Sequence, residues 1–209
     1  MVSTKRGSYA VGRERRERIL DVATERFATE GYSQTSLADI ARAVGLTTPG
    51  LKHYFPTKQH LLLAIADHRF DIAADLAASA QLDDDGLGLF RQMLHITEWF
   101  ASQPALTELF VFISAEAADP NSPAHALFAQ RYEHAVASLA DALRAGSEQG
   151  RLRADIDHES IARECIAVAD GIQLQWVITR GALDMTALIR GHIERLLPAI
   201  TVSGEPVAL

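Results

Sequence analysis

Apolar residues recur along this chain with the spacing of an α-helix, and the pattern continues to the C-terminal region. No segment alternates apolar and polar residues for long enough to indicate a β-strand. Gly and Pro residues separate the apolar stretches, as expected where helices end. Helices are expected at about 13–30, 36–44, 48–55, 57–80, 89–102, 104–117, 123–149, 157–180 and 184–197, with a loop over 81–88. The pattern therefore predicts an all-α protein.

Two of the expected helices are short and follow one another closely. Ser36 and Asp39 form the capping-box pattern that starts a helix, and Gly45 is the residue type that commonly ends one. The apolar residues between them have the spacing of a single narrow buried stripe. They are Leu37, Ile40, Ala41 and Val44. Two short helices joined by a glycine-containing turn indicate a helix-turn-helix, although tight helical hairpins also occur in proteins that do not bind DNA.

The second short helix has its own start and stop signals. Thr47 or Thr48 is expected to cap it, and Pro49 falls in its first turn, where a missing N–H does no harm. The helix ends before Pro56, and Thr57 is the expected cap of the long helix that follows. The first turn of the second helix is the part that reaches base edges in helix-turn-helix proteins.

Charge is distributed unevenly along the chain. The net charge is −7, but the first 60 residues contain ten Lys and Arg against six Asp and Glu, a net +4. The remaining 149 residues therefore carry −11. A polyanion would be attracted to the N-terminal region and repelled by the rest. Charge bias alone leaves an ordinary solvated surface as an equal alternative, and the motif decides between them.

The stretch from Thr35 to Lys58, TSLADIARAVGLTTPGLKHYFPTK, resembles the N-terminal signature of the TetR family of bacterial transcriptional regulators. The similarity covers about residues 13–65. It includes flanking positions that fit the same signature, namely Phe27, Gly31, Tyr32, Leu61 and Leu62. Lys52 departs from it, because the family usually has a tyrosine there and a point charge replaces the ring.

The resemblance implies a three-helix helix-turn-helix head over 1–56 and a helical body over 57–209 that binds a small molecule and forms a homodimer. It also implies a ligand-responsive transcriptional regulator whose partner is a palindromic double-stranded DNA operator. Repression, with release by a small apolar effector, is the expected mode. Activation remains an alternative, because the mode depends on where the operator lies relative to a promoter.

The candidate DNA-binding residues lie on the two short helices and on the turns beside them. Lys58 starts the long helix, where free amides and the lysine together could hold a phosphate. Ser36 is expected to act mainly as a cap, and Tyr54 has packing against the first helix as its alternative role. The full set is Thr35, Ser36, Thr47, Thr48, Pro49, Gly50, Lys52, His53, Tyr54 and Lys58. Arginines at 13, 15, 16 and 18 are weaker candidates, since they alternate with Glu as on a solvated helix.

The helix expected over 157–180 is apolar around much of its circumference. Such a helix must be covered on two sides, and the same helix of a second subunit would provide the second cover. Gly171 in its middle suggests a close helix crossing. A central helix of a monomer is the alternative. The stretch 113–132 also loosely resembles the C-terminal domain of BetI-type regulators, which does not specify a ligand.

The body is expected to enclose an apolar cavity for the effector. Aromatic residues are core by default, but a subset should line the cavity. Gln173 and Gln175 are the best candidates for polar groups that orient a ligand. The predicted ligand-binding residues are Trp99, Phe110, Phe128, Tyr132, Gln173 and Trp176.

Several motifs of other classes of protein do not occur in the sequence. There is no nucleophile elbow, phosphate-binding glycine loop, zinc-protease motif or dinucleotide fingerprint, so no enzyme, catalytic residue or cofactor is expected. The histidines lack ligand-like neighbours, so no metal site is expected. No secretory signal or membrane-length apolar run is present, and we expect a cytoplasmic protein with no membrane partner. A helical adaptor that binds only other proteins is the main competing class.

Overall fold

The computed structural model describes residues 4–79 and 87–205, with side chains from residue 12 onward. The described residues form nine helices. These are α1 (Thr4–Glu30), α2 (Leu37–Ala43), α3 (Thr48–Tyr54), α4 (Lys58–Ser79), α5 (Gly88–Ala101), α6 (Pro104–Glu116), α7 (Pro123–Glu148), α8 (His158–Ile178) and α9 (Met185–Ile200). The prediction of an all-α protein is confirmed. Most of the predicted loop over 81–88 lies outside the described residues.

Two helix boundaries differ from the predicted ones by more than two residues. α1 begins at Thr4 rather than near residue 13, because the apolar spacing that marks a buried face starts only at Ile19 and gives no signal for the turns before it. α9 continues through Pro198 to Ile200. A proline near the end of a helix removes one backbone hydrogen bond, and the last turn is kept here by the bond from the Thr201 N–H to the Leu197 carbonyl, 2.9 Å.

The buried apolar residues form two clusters. The first joins α1–α4 to α5, α6 and the start of α7, and Ile19, Leu51, Leu61 and Ile113 are all fully buried in it. The second joins α5, α7, α8 and α9 in the distal half of the body. The first cluster therefore includes both the N-terminal helices and part of the body, so that the two parts are packed directly on one another. The division at 56/57 stays a prediction.

Cys165 lies in the second cluster and is 1% exposed. Burial raises the pKa of its thiol to about 12, so the thiol stays protonated and packs as a small apolar group. Within the described ranges, no helix combines the length and the apolar character needed to cross a membrane.

Candidate DNA-binding surface and ligand cavity

α2 begins at the predicted capping box. The Ser36 Oγ accepts a hydrogen bond from the Asp39 N–H at 3.2 Å, and an Asp39 carboxylate oxygen accepts one from the Ser36 N–H at 3.3 Å. The turn after α2 has Gly45 at φ 72°, a conformation that favours glycine. The Leu46 N–H then donates to the Ala41 carbonyl at 2.8 Å. These local contacts set the angle at which α3 leaves the turn.

α3 is capped by Thr47, which settles the alternative between Thr47 and Thr48. The Thr47 Oγ1 accepts a hydrogen bond from the Gly50 N–H at 3.2 Å, and Pro49 lies in the first turn. A Cβ added at Gly50 would be 3.2 Å from that same Oγ1. The glycine therefore leaves room for the capping hydroxyl, which is a structural reason for Gly50 that the sequence pattern did not indicate.

The predicted DNA-binding residues differ in exposure. Leu51 and Phe55 anchor α3 in the core, and most of the predicted residues occupy the opposite, solvent side. Ser36, Thr47, Pro49, Lys52 and His53 are exposed, while Thr48, Gly50, Tyr54 and Lys58 are half-buried. α3 thus presents Lys52 and His53 to solvent beside a partly exposed first turn, as a recognition helix requires.

Thr35 is a correction to the predicted set. Its side chain is 1% exposed, and its hydroxyl donates to the Gly31 carbonyl at 3.0 Å and the Arg26 carbonyl at 3.2 Å. Its N–H is also used, since it donates to the Gly31 carbonyl at 3.2 Å. Thr35 therefore fixes the end of α1 and presents no free group to a phosphate.

Lys58 is engaged within the chain. Its ammonium donates to the Tyr32 carbonyl at 2.5 Å and to the Thr35 carbonyl at 3.0 Å, and it lies 4.3 Å from the centroid of the Tyr32 ring. The ammonium thereby joins the start of α4 to the loop between α1 and α2. The sequence-based prediction that Lys58 contacts a phosphate is untested. Because the ammonium already donates to two carbonyls, with a third, that of Ser33, at 3.5 Å, we expect its role to be mainly structural.

A cavity of about 360 Å³ opens between α6, α7 and α8. Three of the predicted ligand-binding residues line it: Phe110, Tyr132 and Gln173. The remaining lining residues are Val111, Ser114, Ala115, Asp170, Gly171 and Leu174. The volume lies within the range of small-molecule sites, and the mostly apolar walls with a few polar groups are typical of them.

The other three predicted ligand-binding residues do not line this cavity. Phe128 is 3% exposed and lies behind the wall, with its ring centroid 5.3 Å from that of Phe110. Trp176 is 8% exposed and belongs to the second apolar cluster. Trp99 packs edge-on against Phe100 at 5.0 Å. Phe128 and Trp176 are buried in the core, and Trp99 is half-buried against it.

Matches to known families cover both parts of the chain. Residues 19–65 match the family described as bacterial regulatory proteins of the tetR family. Residues 93–198 match the C-terminal domain of BetI-type transcriptional repressors, which is more than half of the chain. The chain belongs to the TetR family of bacterial transcriptional regulators. It is a DNA-binding helix-turn-helix regulator, and its C-terminal domain is of a ligand-binding type.

Individual members of the TetR family resemble the whole chain at low identity. The transcriptional repressor KstR2 of Rhodococcus jostii is 25% identical over 202 residues, covering 89% of this chain and 91% of KstR2. A regulator from Saccharomonospora viridis solved with choline has a TM-score of 0.70 at 23% identity, covering 90% of this chain and 98% of that one. SmeT solved with triclosan has a TM-score of 0.74 at 22% identity, covering 94% of this chain and 100% of SmeT. The two solved structures show that the fold is shared.

Within this TetR-family body, sequence reasoning missed two charged residues at the cavity, one buried and one half-buried. Arg69 of α4 is 5% exposed, and Asp170 of α8 is a lining residue. One Arg69 N–H donates to the Gln173 Oε1, and the Tyr132 hydroxyl donates to an Asp170 carboxylate oxygen at 2.6 Å. In the sequence, each of the two is a single charged residue within an apolar stripe of its helix. A charged residue at such a position is the signal from which a polar group at the cavity could have been predicted.

Charged contacts also hold α4 against α7. The Arg131 Nε donates to an Asp67 carboxylate oxygen at 2.8 Å, and its guanidinium pairs with Asp71 at 2.8 Å. Both acidic residues are on α4, and these bonds raise the pKa of Arg131. Together with the Arg69–Gln173 contact, they fix the helix that leads from α3 into the body.

Proposed function

We propose that this regulator is a repressor that binds a palindromic operator as a homodimer and is released when a small apolar molecule occupies the body. The head would comprise 1–56 and the body 57–209. The observation that carries the proposal is the position of α4. It follows α3 after a short turn and contacts, through Arg69, a residue of the cavity wall.

The exposed apolar residues of α8 and α9 support the dimer. Leu174 is 47% exposed, Ile178 70% and Leu188 44%, whereas residues of this type are normally buried. The cavity opens beside Gly171, where an added Cβ would meet nothing within 4 Å in the described part of the chain, so Gly171 itself does not support the dimer. A two-fold pairing of these helices would cover the patch with itself.

A two-fold dimer would carry two α3 helices, one for each half-site of a palindromic operator. Recognition helices of such dimers enter successive major grooves roughly 34–36 Å apart. An effector that tilts α4 would change this separation and weaken binding. The loss of operator affinity cannot exceed the ratio of the effector's affinities for the operator-binding conformation and the tilted one.

The test is selection of bound DNA from a random pool, followed by binding measurements at several salt concentrations. We expect an inverted repeat with half-sites one helical turn apart, bound with a steep salt dependence. Triclosan and choline, present in the two solved relatives, are the first effectors to add. Weak binding without sequence preference or salt dependence would favour a protein-binding adaptor and contradict the proposal. Loss of repression from a reporter promoter on deletion of the gene would separate a repressor from an activator.

A further inference from the structure

Arg69 is a buried cation directly behind the cavity wall. Its guanidinium carbon lies 3.8 Å from the ring centroid of Phe100 and 3.7 Å from that of Phe110, so aromatic rings lie close to it on two sides. Phe110 and Gln173, both in contact with the guanidinium, also line the cavity. The guanidinium is therefore separated from the cavity by the side chains of two lining residues, Phe110 and Gln173.

The hydrogen bonds of Arg69 are incomplete. A guanidinium has five N–H donors, yet the acceptor that Arg69 contacts is one neutral amide oxygen, and its buried Nε has no partner in the described part of the chain. Burial lowers the pKa of Arg69 to about 10, so it remains charged near neutral pH. A buried donor without an acceptor is costly, more so when it is charged, and buried polar groups of native proteins rarely remain in this state.

Asp170 does not resolve this shortage. Its carboxylate accepts a hydrogen bond from Tyr132 at 2.6 Å. It attracts Arg69 electrostatically, but no hydrogen bond or ion pair joins the two side chains directly among the described residues. Burial raises the pKa of Asp170, in spite of the hydrogen bond from Tyr132 and the charge of Arg69. The charge that lacks a direct partner is therefore the positive one.

We propose that the cavity binds an amphipathic organic anion whose carboxylate replaces Gln173 as the acceptor for Arg69. The apolar part of the ligand lies against Phe110, Val111 and Leu174. A carboxylate can accept two parallel N–H bonds from a guanidinium, and such charge-assisted bonds are stronger than the bond to a neutral amide. The inference rests on the proposed function and changes its effector from a purely apolar molecule to one with an apolar chain and a carboxylate. Arg69 belongs to α4, so this ligand would directly contact the helix that follows α3.

The first test compares three probes with the same apolar chain, namely octanoate, 1-octanol and octylamine, by calorimetry on the full-length protein. We expect octanoate to bind most tightly. Arg69→Met should weaken octanoate about 10- to 100-fold, the effect of losing a charge-assisted hydrogen bond, and should leave 1-octanol nearly unchanged. Arg144→Met is the matched control, since Arg144 is an exposed arginine of α7 paired with Asp141.

A second variant should change octanoate affinity in the opposite direction. It keeps the inference testable even if Arg69→Met does not fold. Asp170→Asn removes a negative charge beside the bound carboxylate, so octanoate should bind more tightly, and Asp141→Asn is the control on the surface. Circular dichroism checks that each variant folds. Three results would each overturn the inference. Octylamine or 1-octanol could bind as tightly as octanoate, octanoate could fail to bind, or Asp170→Asn could bind octanoate more weakly than the wild type does. Operator binding of the ligand-free protein is measured separately, and its failure contradicts the proposed function instead.

Discussion

Two lysines near α3 have different environments in the structure. Lys52 is exposed on α3, while the half-buried Lys58 ammonium donates to the carbonyls of Tyr32 and Thr35. Residue type and position alone made both candidates for phosphate contacts. The structure separates them, because a lysine with intramolecular acceptors stabilises the fold, whereas an exposed one is available to DNA.

Lys58→Met should lower the free energy of unfolding by roughly 1–2 kcal/mol, because two carbonyls lose a charged donor, and should change the salt dependence of operator binding little. Lys52→Met is the matched variant. It should leave the unfolding curve almost unchanged, but reduce the slope of log K against log salt by about 1.8, for one phosphate in each of two subunits. Chemical denaturation and salt titrations measure the two effects. A reduced salt slope for Lys58→Met, with an unchanged slope for Lys52→Met, would establish the phosphate contact of Lys58 instead.

Asp170 gives the body a predictable dependence on pH. Its pKa is raised by burial, in spite of the Tyr132 hydroxyl and the nearby Arg69. At pH values near and above 3.8, the pKa of this carboxyl in the unfolded chain, the folded state therefore binds more protons at this site than the unfolded state does. The contribution of Asp170 to stability falls as the pH rises from 3.8 through the pKa of the folded state.

Asp170→Asn removes this titration, so the wild type should gain stability relative to the variant as the pH falls from 7 toward 4.5. Comparing the two proteins cancels the groups that they share. Thermal unfolding at a series of pH values measures the difference. A difference that stays constant across this range would show that the carboxyl has the same pKa in the folded and unfolded states.

At the scale of single elements, α8 combines a buried face with an exposed apolar one. Ala162, Cys165 and Trp176 are buried against the subunit's own core, while Leu174 and Ile178 are exposed. The exposed pair lies outside the two apolar stripes that the sequence predicted, whose residues are buried or half-buried. Leu174 also lines the cavity, which places the ligand site next to the proposed dimer interface.

Ile178→Asp should convert the dimer to monomers and abolish operator binding. The same contact occurs twice in a two-fold interface, and burial of one such side chain contributes about 1.5–3 kcal/mol, so the dissociation constant should rise roughly 100-fold or more. Sedimentation and operator titration measure the result. Val202→Asp is the control, because Val202 is also an exposed apolar residue, 61%, but follows α9. A dimeric Ile178→Asp protein would place the interface elsewhere.

At the scale of the whole molecule, two helices connect the cavity with the DNA-binding surface. α4 carries Arg69 at the cavity and Lys58 at its start. α6 lines the cavity with Phe110, and its Phe112 ring lies 6.5 Å from the ring of Tyr32, which follows α1. Both routes reach the same loop between α1 and α2, within one continuous apolar cluster.

Ligand and operator should therefore weaken each other's binding by the same factor. If a saturating effector lowers operator affinity 100-fold, the coupling free energy is about 2.7 kcal/mol, and saturating operator should lower effector affinity 100-fold as well. Calorimetric titration of the effector with and without operator measures this. Equal affinities, for a ligand that is bound in the cavity, would contradict the switch.

The sequence alone determined the features that depend on neighbouring residues. The capping box of Ser36, the turn at Gly45 and the first turn of α3 all follow from side chains and backbone groups within four residues of one another. Such contacts have few alternative partners, so residue type and spacing are sufficient to predict them. The helix-turn-helix, and with it the family, could therefore be predicted before any tertiary contact was known.

Only the tertiary structure decided the contacts between distant segments. Arg69 and Gln173 are 104 residues apart, and Lys58 reaches carbonyls 26 and 23 residues before it. Burial of Thr35 and the positions of the aromatic rings depend in the same way on how helices pack. A sequence pattern shows which face of a helix is apolar, but not what that face meets, because the partner is set by the packing of the whole chain.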